Sequence, residues 1–156
     1  MRVNPPLRQQ RDRDALRAGL ADGTIDALVS DHTPVDDDAK TLPFAESEAG
    51  ATGLELLLSL SLKWAQDSGL GLDQALAVVS SRAAQVLGQA PGALAGSLGR
   101  LAVGGVADVC VFDPQAAWVV EPAALRSHGR HTPFSGYELP GCVRATVVAG
   151  IVAFSA

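Results

Sequence analysis

Apolar residues in the first half of the chain recur at helical spacing, while in the second half they recur every second residue. Ala15, Leu16 and Leu20 fall on one face of a helix expected over residues 8–20, with Pro5 and Pro6 before it and Gly23 after it. Residues 25–30, Ile-Asp-Ala-Leu-Val-Ser, form a short run that reads as a strand buried on both faces, as in a parallel sheet. It leads directly into Asp31-His32-Thr33-Pro34 and an acidic loop ending near Gly50. A helix is expected over residues 52–67, carrying Leu54, Leu57, Leu58, Leu62 and Ala65, with Gly69 and Gly71 ending it. Two shorter helices follow, over residues 72–80 and 82–87.

A Gly-rich passage then separates this α/β material from a β-rich part, and we expect a boundary between residues 1–97 and 98–156. Residues 107–112 read as one strand ending in an Asp113-Pro114 turn, and residues 118–120 as a second. Residues 143–148 and 151–154 read as a hairpin across Ala149-Gly150.

Composition narrows the function classes. The chain has 156 residues, 47% hydrophobic and 19% charged, which suits a folded protein rather than a disordered tail. Ala occupies 26 positions and aromatics only 4%, so Leu and Val must build the core. A net charge of −5 argues against nucleic-acid binding. The charge is uneven, with five Arg against two Asp in residues 1–20, and nine acids against Lys40 alone in residues 21–55. No stretch approaches the length of a membrane span, no secretory signal opens the chain, and Cys110 and Cys142 lack metal-ligand spacing. The expected setting is cytoplasmic, without membrane partners.

Asp31-His32 at a strand end carries the most chemistry. An α/β barrel places active-site groups at the C-terminal ends of its strands, and a carboxylate there can bind a metal or move a proton. From spacing alone, the pair reads rather as a turn cap and a satisfied histidine. Asp36-Asp37-Asp38 lacks the spacing of a calcium loop and reads as a solvated surface. His128 and His131, in a loop with Gly129 and Pro133, read as surface or anchoring residues. Asn4, before two prolines and Arg8, presents an amide and a guanidinium suited to a carboxylate or a cyclic amide, or simply leads into the first helix.

Taken in order, these segments resemble the C-terminal part of a dihydroorotase, in the amidohydrolase superfamily. Asn4-Pro5-Pro6-Leu7-Arg8 resembles the family's turn after barrel strand seven, and residues 25–34 its strand eight with a D-H-x-P motif. Lys40, Pro43-Phe44, Gly50 and Gly53-Leu54-Glu55 match the following loop and helix start. Gly99-Arg100-Leu101, Ala107-Asp108, Asp113-Pro114 and Thr132-Pro133-Phe134 match the β-domain tail. The resemblance implies an α/β fold, the C-terminal portion of a (β/α)8 TIM barrel followed by strands of a small β-sandwich domain. Roughly 250 residues is typical of a TIM barrel, so this chain cannot close one alone, and Met1 is expected to be an internal start or a cut.

The implied chemistry is the interconversion of dihydroorotate and carbamoyl aspartate at zinc. Asp31 would be the catalytic carboxylate and a metal ligand, and Asn4 and Gly50 substrate contacts. Two departures weigh against activity. The family's H-x-H is not in this sequence, which has three His in all, so no zinc is expected on this chain alone. Val35 stands where the family's D-H-x-P-H carries a substrate-binding His, and it can neither donate a hydrogen bond nor carry charge. Ala49 also replaces a residue that is often larger. The run from Asp31 to Asp38 resembles instead a noncatalytic dihydroorotase-like subgroup that partners aspartate transcarbamoylase. The readings are thus a noncatalytic partner, a piece of an active zinc dihydroorotase, or a stand-alone interaction domain. Each leaves sheet edges to cover, so a homo-oligomer or another partner is expected.

Overall fold

The computed structural model describes residues 1–88 and 98–156. The Gly-rich passage and the expected boundary at residue 97 fall largely outside the described residues. Helix α1 spans Gln10–Asp22. The Gln9 N–H donates to the Asp12 carboxylate at 3.2 Å at its start, and Gly23, at φ 85°, ends it. Of the expected apolar face, Leu20 is buried, but Leu16 is 57% exposed and covers nothing among the described residues.

Residues 25–30, expected as a buried strand, are not part of a hydrogen-bonded ladder, and Ile25 lies in a bend. A parallel strand takes its backbone partners from flanking strands. Here the Leu28 N–H donates to Val78 O at 2.9 Å, and Arg82 donates to Ile25 O at 2.9 Å and to Leu20 O at 3.3 Å. Val29 remains 74% exposed. The segment expected as a strand is therefore held by the Val78 carbonyl and one arginine instead of by neighbouring strands.

A short helix, α2 (Asp38–Thr41), interrupts the acidic loop. The long helix begins as a 3-10 turn over Leu54–Leu56 and continues as α3, Leu57–Asp67. Helices α4 (Leu72–Ala77) and α5 (Ser81–Leu87) follow. Leu20, Leu62, Trp64, Ala65, Ala75 and Val78 form one buried cluster, in which α3 packs on α1 and α4. The Trp64 indole donates to Arg17 O at 3.3 Å, and Asp67 pairs with Lys63 at 2.6 Å and Arg17 at 3.4 Å. No described helix is long and apolar enough to cross a membrane.

The β-rich part is one antiparallel sheet in the order β1-β2-β3, formed by Val109–Val119, Glu138–Val148 and Ile151–Ser155. The expected turn at Asp113-Pro114 is instead an irregularity within a single long strand. The Asp113 carboxylate accepts the Gln115 and Ala116 N–H groups at 3.0 and 3.2 Å, so the chain bulges and resumes pairing at Ala117. The hairpin forms across Ala149 and Gly150, both at positive φ, as a tight two-residue turn requires.

Leu56, Val120, Leu125 and Leu139 make a second buried cluster, which joins the helical part to the sheet. A polar relay runs beside it. The Trp118 indole donates to Ser59 Oγ at 3.1 Å, and that buried hydroxyl donates to Gly141 O at 3.2 Å. Burial of such groups is tolerated because each has its partner.

Candidate functional site

The site is built where the extended segment ends. Asp31 is exposed and sits at φ 43°, in the left-handed region that Asp tolerates better than most residues. The positive φ therefore falls at the carboxylate expected to act on substrate. The next residue, His32, points back into the fold. Its Nδ1 accepts the Gly53 and Leu54 N–H groups, each at 3.2 Å. Those donors open the long helix and have no partners of their own within it, so the imidazole serves as a cap reached from a distant segment. Between the two readings of this histidine, the geometry gives the structural one.

Thr33, Pro34 and Val35 are then gripped from two sides. On one, the Thr33 N–H donates to Ala51 O at 3.0 Å, and Gly50 lies against Thr33 O and Val35. Gly50 is buried with φ 150°, and a β-carbon there would strike the Thr33 carbonyl. On the other side, Gly129 of the β-rich part faces Pro34, with only 2.7 Å between Pro34 Cβ and the place of a β-carbon. Four hydrogen bonds bind this loop to the helix start. The Thr52 hydroxyl donates to Gly129 O, and the Thr52 N–H donates to His131 O at 2.8 Å. Glu55 accepts the N–H groups of Arg126 and Ser127, both at 2.7 Å. Burial pushes the Glu55 carboxyl up, but these donors, with a smaller contribution from His32, hold it below the usual carboxylate range.

A cavity of about 500 Å³ opens beside this junction, lined by His32, Val35, Glu48 and His128 among others. Asn4 approaches from the N-terminal segment. It is exposed and precedes Pro5 through a cis peptide, and Arg2 beside it accepts the Gly50 N–H at 3.1 Å. The fold thus ties Gly50 to the Arg2 carbonyl, two residues before Asn4, and sets it against Thr33 and Val35 after Asp31. His128 and His131 sit on the loop that braces the site, so the anchoring reading of that loop fits the geometry. Sequence reasoning assigned no role to Arg2, Glu55, Thr52 or Gly129. Glu55 and Lys40 stood in the ordered motif, which was the one signal available for them.

Zinc needs three or four protein ligands. Among the described residues, no three His, Cys, Asp or Glu side chains converge to hold a metal, and Asp31 supplies one carboxylate. The residues of this chain do not by themselves fit the ion.

A segment ending at Asp31 with positive φ, a helix start capped by His32 and a β-rich part bracing the loop suit the last elements of an α/β barrel followed by a small β-domain. A family model described as the amidohydrolase family matches residues 3–152, and the chain belongs to that family. It is 42% identical over 155 residues to a dihydroorotase of Citrifermentans bemidjiense, covering 99% of this chain and 35% of that protein. It is 45% identical over 150 residues to a dihydroorotase-like protein of Pseudomonas putida, covering 96% and 34%. A counterpart in Pseudomonas aeruginosa is 44% identical over 148 residues, covering 95% and 33%. Among solved structures, a D-hydantoinase (dihydropyrimidinase) from Thermus sp. superposes with a TM-score of 0.85 at 29% identity, over 99% of this chain and 33% of that one. An L-hydantoinase from Arthrobacter aurescens gives 0.84 at 29% identity, over 99% and 34%. The chain spans about a third of the length of the relatives it matches.

Proposed function

We propose that this chain is the C-terminal third of a dihydroorotase-like protein of pyrimidine biosynthesis, noncatalytic as it stands, with a structural role beside aspartate transcarbamoylase. The observation that carries this reading is Val35. Its Cγ1 packs against Gly50 at the point where the resemblance calls for an imidazole that holds substrate. An isopropyl group there offers a carboxylate or amide nothing to bond, and desolvating such a group without a partner is costly. Under this reading Asn4 and Gly50 are retained ligand contacts, and Asp31 is a carboxylate without the partners that would make it catalytic.

A second reading is favoured by Asp31 itself, a non-glycine residue held at positive φ, as residues at active sites often are. Under that reading the chain is a portion of an active zinc dihydroorotase, and Asp31 binds metal and transfers the proton. One experiment separates them. The longest available form of the protein is assayed for bound zinc and for dihydroorotate turnover, and for co-elution with aspartate transcarbamoylase at micromolar concentration. The noncatalytic reading expects no turnover and a shared elution peak. Zinc-dependent turnover would establish the second reading, and separate elution would remove the partner role. The expected homo-oligomer is read from the same column, as a mass above that of one chain.

A further inference from the structure

In the sequence, Arg2 is one of five N-terminal arginines, and Lys40 is the lone base in an acidic stretch. In the structure their cationic groups bind carbonyls. Arg2 Nη1 donates to the carbonyls of Ser47 at 2.7 Å, Ala45 at 2.8 Å and Phe44 at 3.4 Å, and its guanidinium lies 6.0 Å from the Phe44 ring centroid. The Arg2 carbonyl accepts both the Gly50 N–H and Lys40 Nζ, each at 3.1 Å, while Lys40 also donates to Glu48 O at 2.5 Å. Among the described residues neither cation forms an ion pair with the surrounding carboxylates. Exposed ion pairs leave a loop's path free, whereas charge-assisted bonds to successive carbonyls fix it.

We infer that Arg2 and Lys40 are positioning residues that lock the Asn4 turn and the Gly50 wall into one unit. The functional importance of that unit rests on the reading of Asn4 and Gly50 as ligand contacts. Arg2 stands two residues before Asn4, and Pro5 and Pro6 limit the freedom of the turn that follows. The Arg2 side chain holds residues 44–47, its carbonyl holds Gly50, and Lys40 ties that same carbonyl to Glu48. A displacement of the Arg2 carbonyl therefore moves both elements together, and the acidic loop is a fixed wall rather than a lid.

The test uses isotope-labelled full chain as wild type, Arg2→Met, Arg2→Lys and Lys40→Met, read by amide exchange and by the Asn4 side-chain resonance. Arg2→Met keeps length and loses every donor. The Gly50 and Ser47 amides should exchange about tenfold faster or more, with amides of α3 unchanged. The Asn4 side-chain resonance should shift in the same variant. Arg2→Lys should return both toward wild type, a rescue that a purely steric role would not give. If Arg2→Met loses its folded spectrum, Lys40→Met decides, since it leaves the Arg2 side chain in place and should still quicken Gly50. Gly50 exchange within about twofold of wild type in the folded variants, or a Gly50 change with no Asn4 shift, would overturn the inference. Titrating dihydroorotate against the same resonances separates the two claims. Silence at Asn4 and Gly50 in the wild type removes the ligand reading, while the exchange result still decides the lock.

Discussion

Val35 and Gly50 meet across the turn that follows Asp31, with Val35 Cγ1 3.0 Å from the position a β-carbon on Gly50 would take. The contact is possible only because residue 50 has no side chain, and its φ of 150° favours glycine independently. Gly50→Ala should therefore destabilise the chain by about 2–4 kcal/mol in urea denaturation. Adding Val35→Ala should recover less than half of that loss. The Thr33 carbonyl and the backbone angle remain as obstacles. Full recovery by the double variant would show that Val35 alone sets the requirement.

His32 should behave as a helix cap. His32→Ala leaves the Gly53 and Leu54 N–H groups without their acceptor and should cost about 1 kcal/mol. His32→Asn puts a carbonyl oxygen near the place of Nδ1 and should restore most of it. Amide exchange at Gly53 and Leu54 is the direct check, and equal rates in all three proteins would remove the capping role.

Glu55 couples the helix start to the β-rich part, so its loss should be felt at Arg126 and Ser127. Glu55→Ala should cost about 1–3 kcal/mol near neutral pH, with Glu55→Gln intermediate, because one amide oxygen can still accept. The fold lowers this carboxyl's pKa, so the unfolded chain takes up its proton first as the solution is acidified. The stabilisation is present above the ordinary Glu value near 4.5 and declines as pH falls below it. Denaturation of wild type and Glu55→Ala from pH 7 to 3 should give curves that converge at the acid end. Curves that stay parallel would mean that the carboxylate's charge contributes nothing.

The elements that sequence periodicity gave well are those whose stabilisation is local. Helices α1, α3, α4 and α5 lie within a few residues of their expected ranges, and the β2–β3 hairpin follows from its two-residue turn. The failures share a different cause. Residues 25–30 have the composition of a buried strand, but a ladder depends on neighbours that composition cannot supply. Asp113-Pro114 reads as a turn because the Asp side chain does bind its own backbone, yet flanking pairs with β2 carry the strand past it. At the candidate site, the roles expected of Asp31, Asn4 and Gly50 rest on an ordered motif alone. Arg2, Thr52 and Gly129 were not legible, since each acts on backbone groups far along the chain, and such contacts leave no periodic or spacing signal.

His131 gives the last prediction. Its backbone carbonyl holds Thr52, while its ring is partly withdrawn from water near Lys40 and the Met1 ammonium. Desolvation, then the charges of Lys40 and Met1, lower its pKa from the usual 6.5, and Asp37 opposes them in part. The folded protein thus resists a proton that the unfolded chain accepts. Stability due to this group is fully present above pH 6.5 and is lost as pH falls through the window beneath it. The loss cannot exceed one proton's worth, about 1.4 kcal/mol per pH unit. His131→Gln should be the less pH-sensitive protein between pH 7 and 5, and Lys40→Met should be intermediate. The difference between wild type and His131→Gln isolates the effect. A difference independent of pH would show that His131 acts through its packing alone.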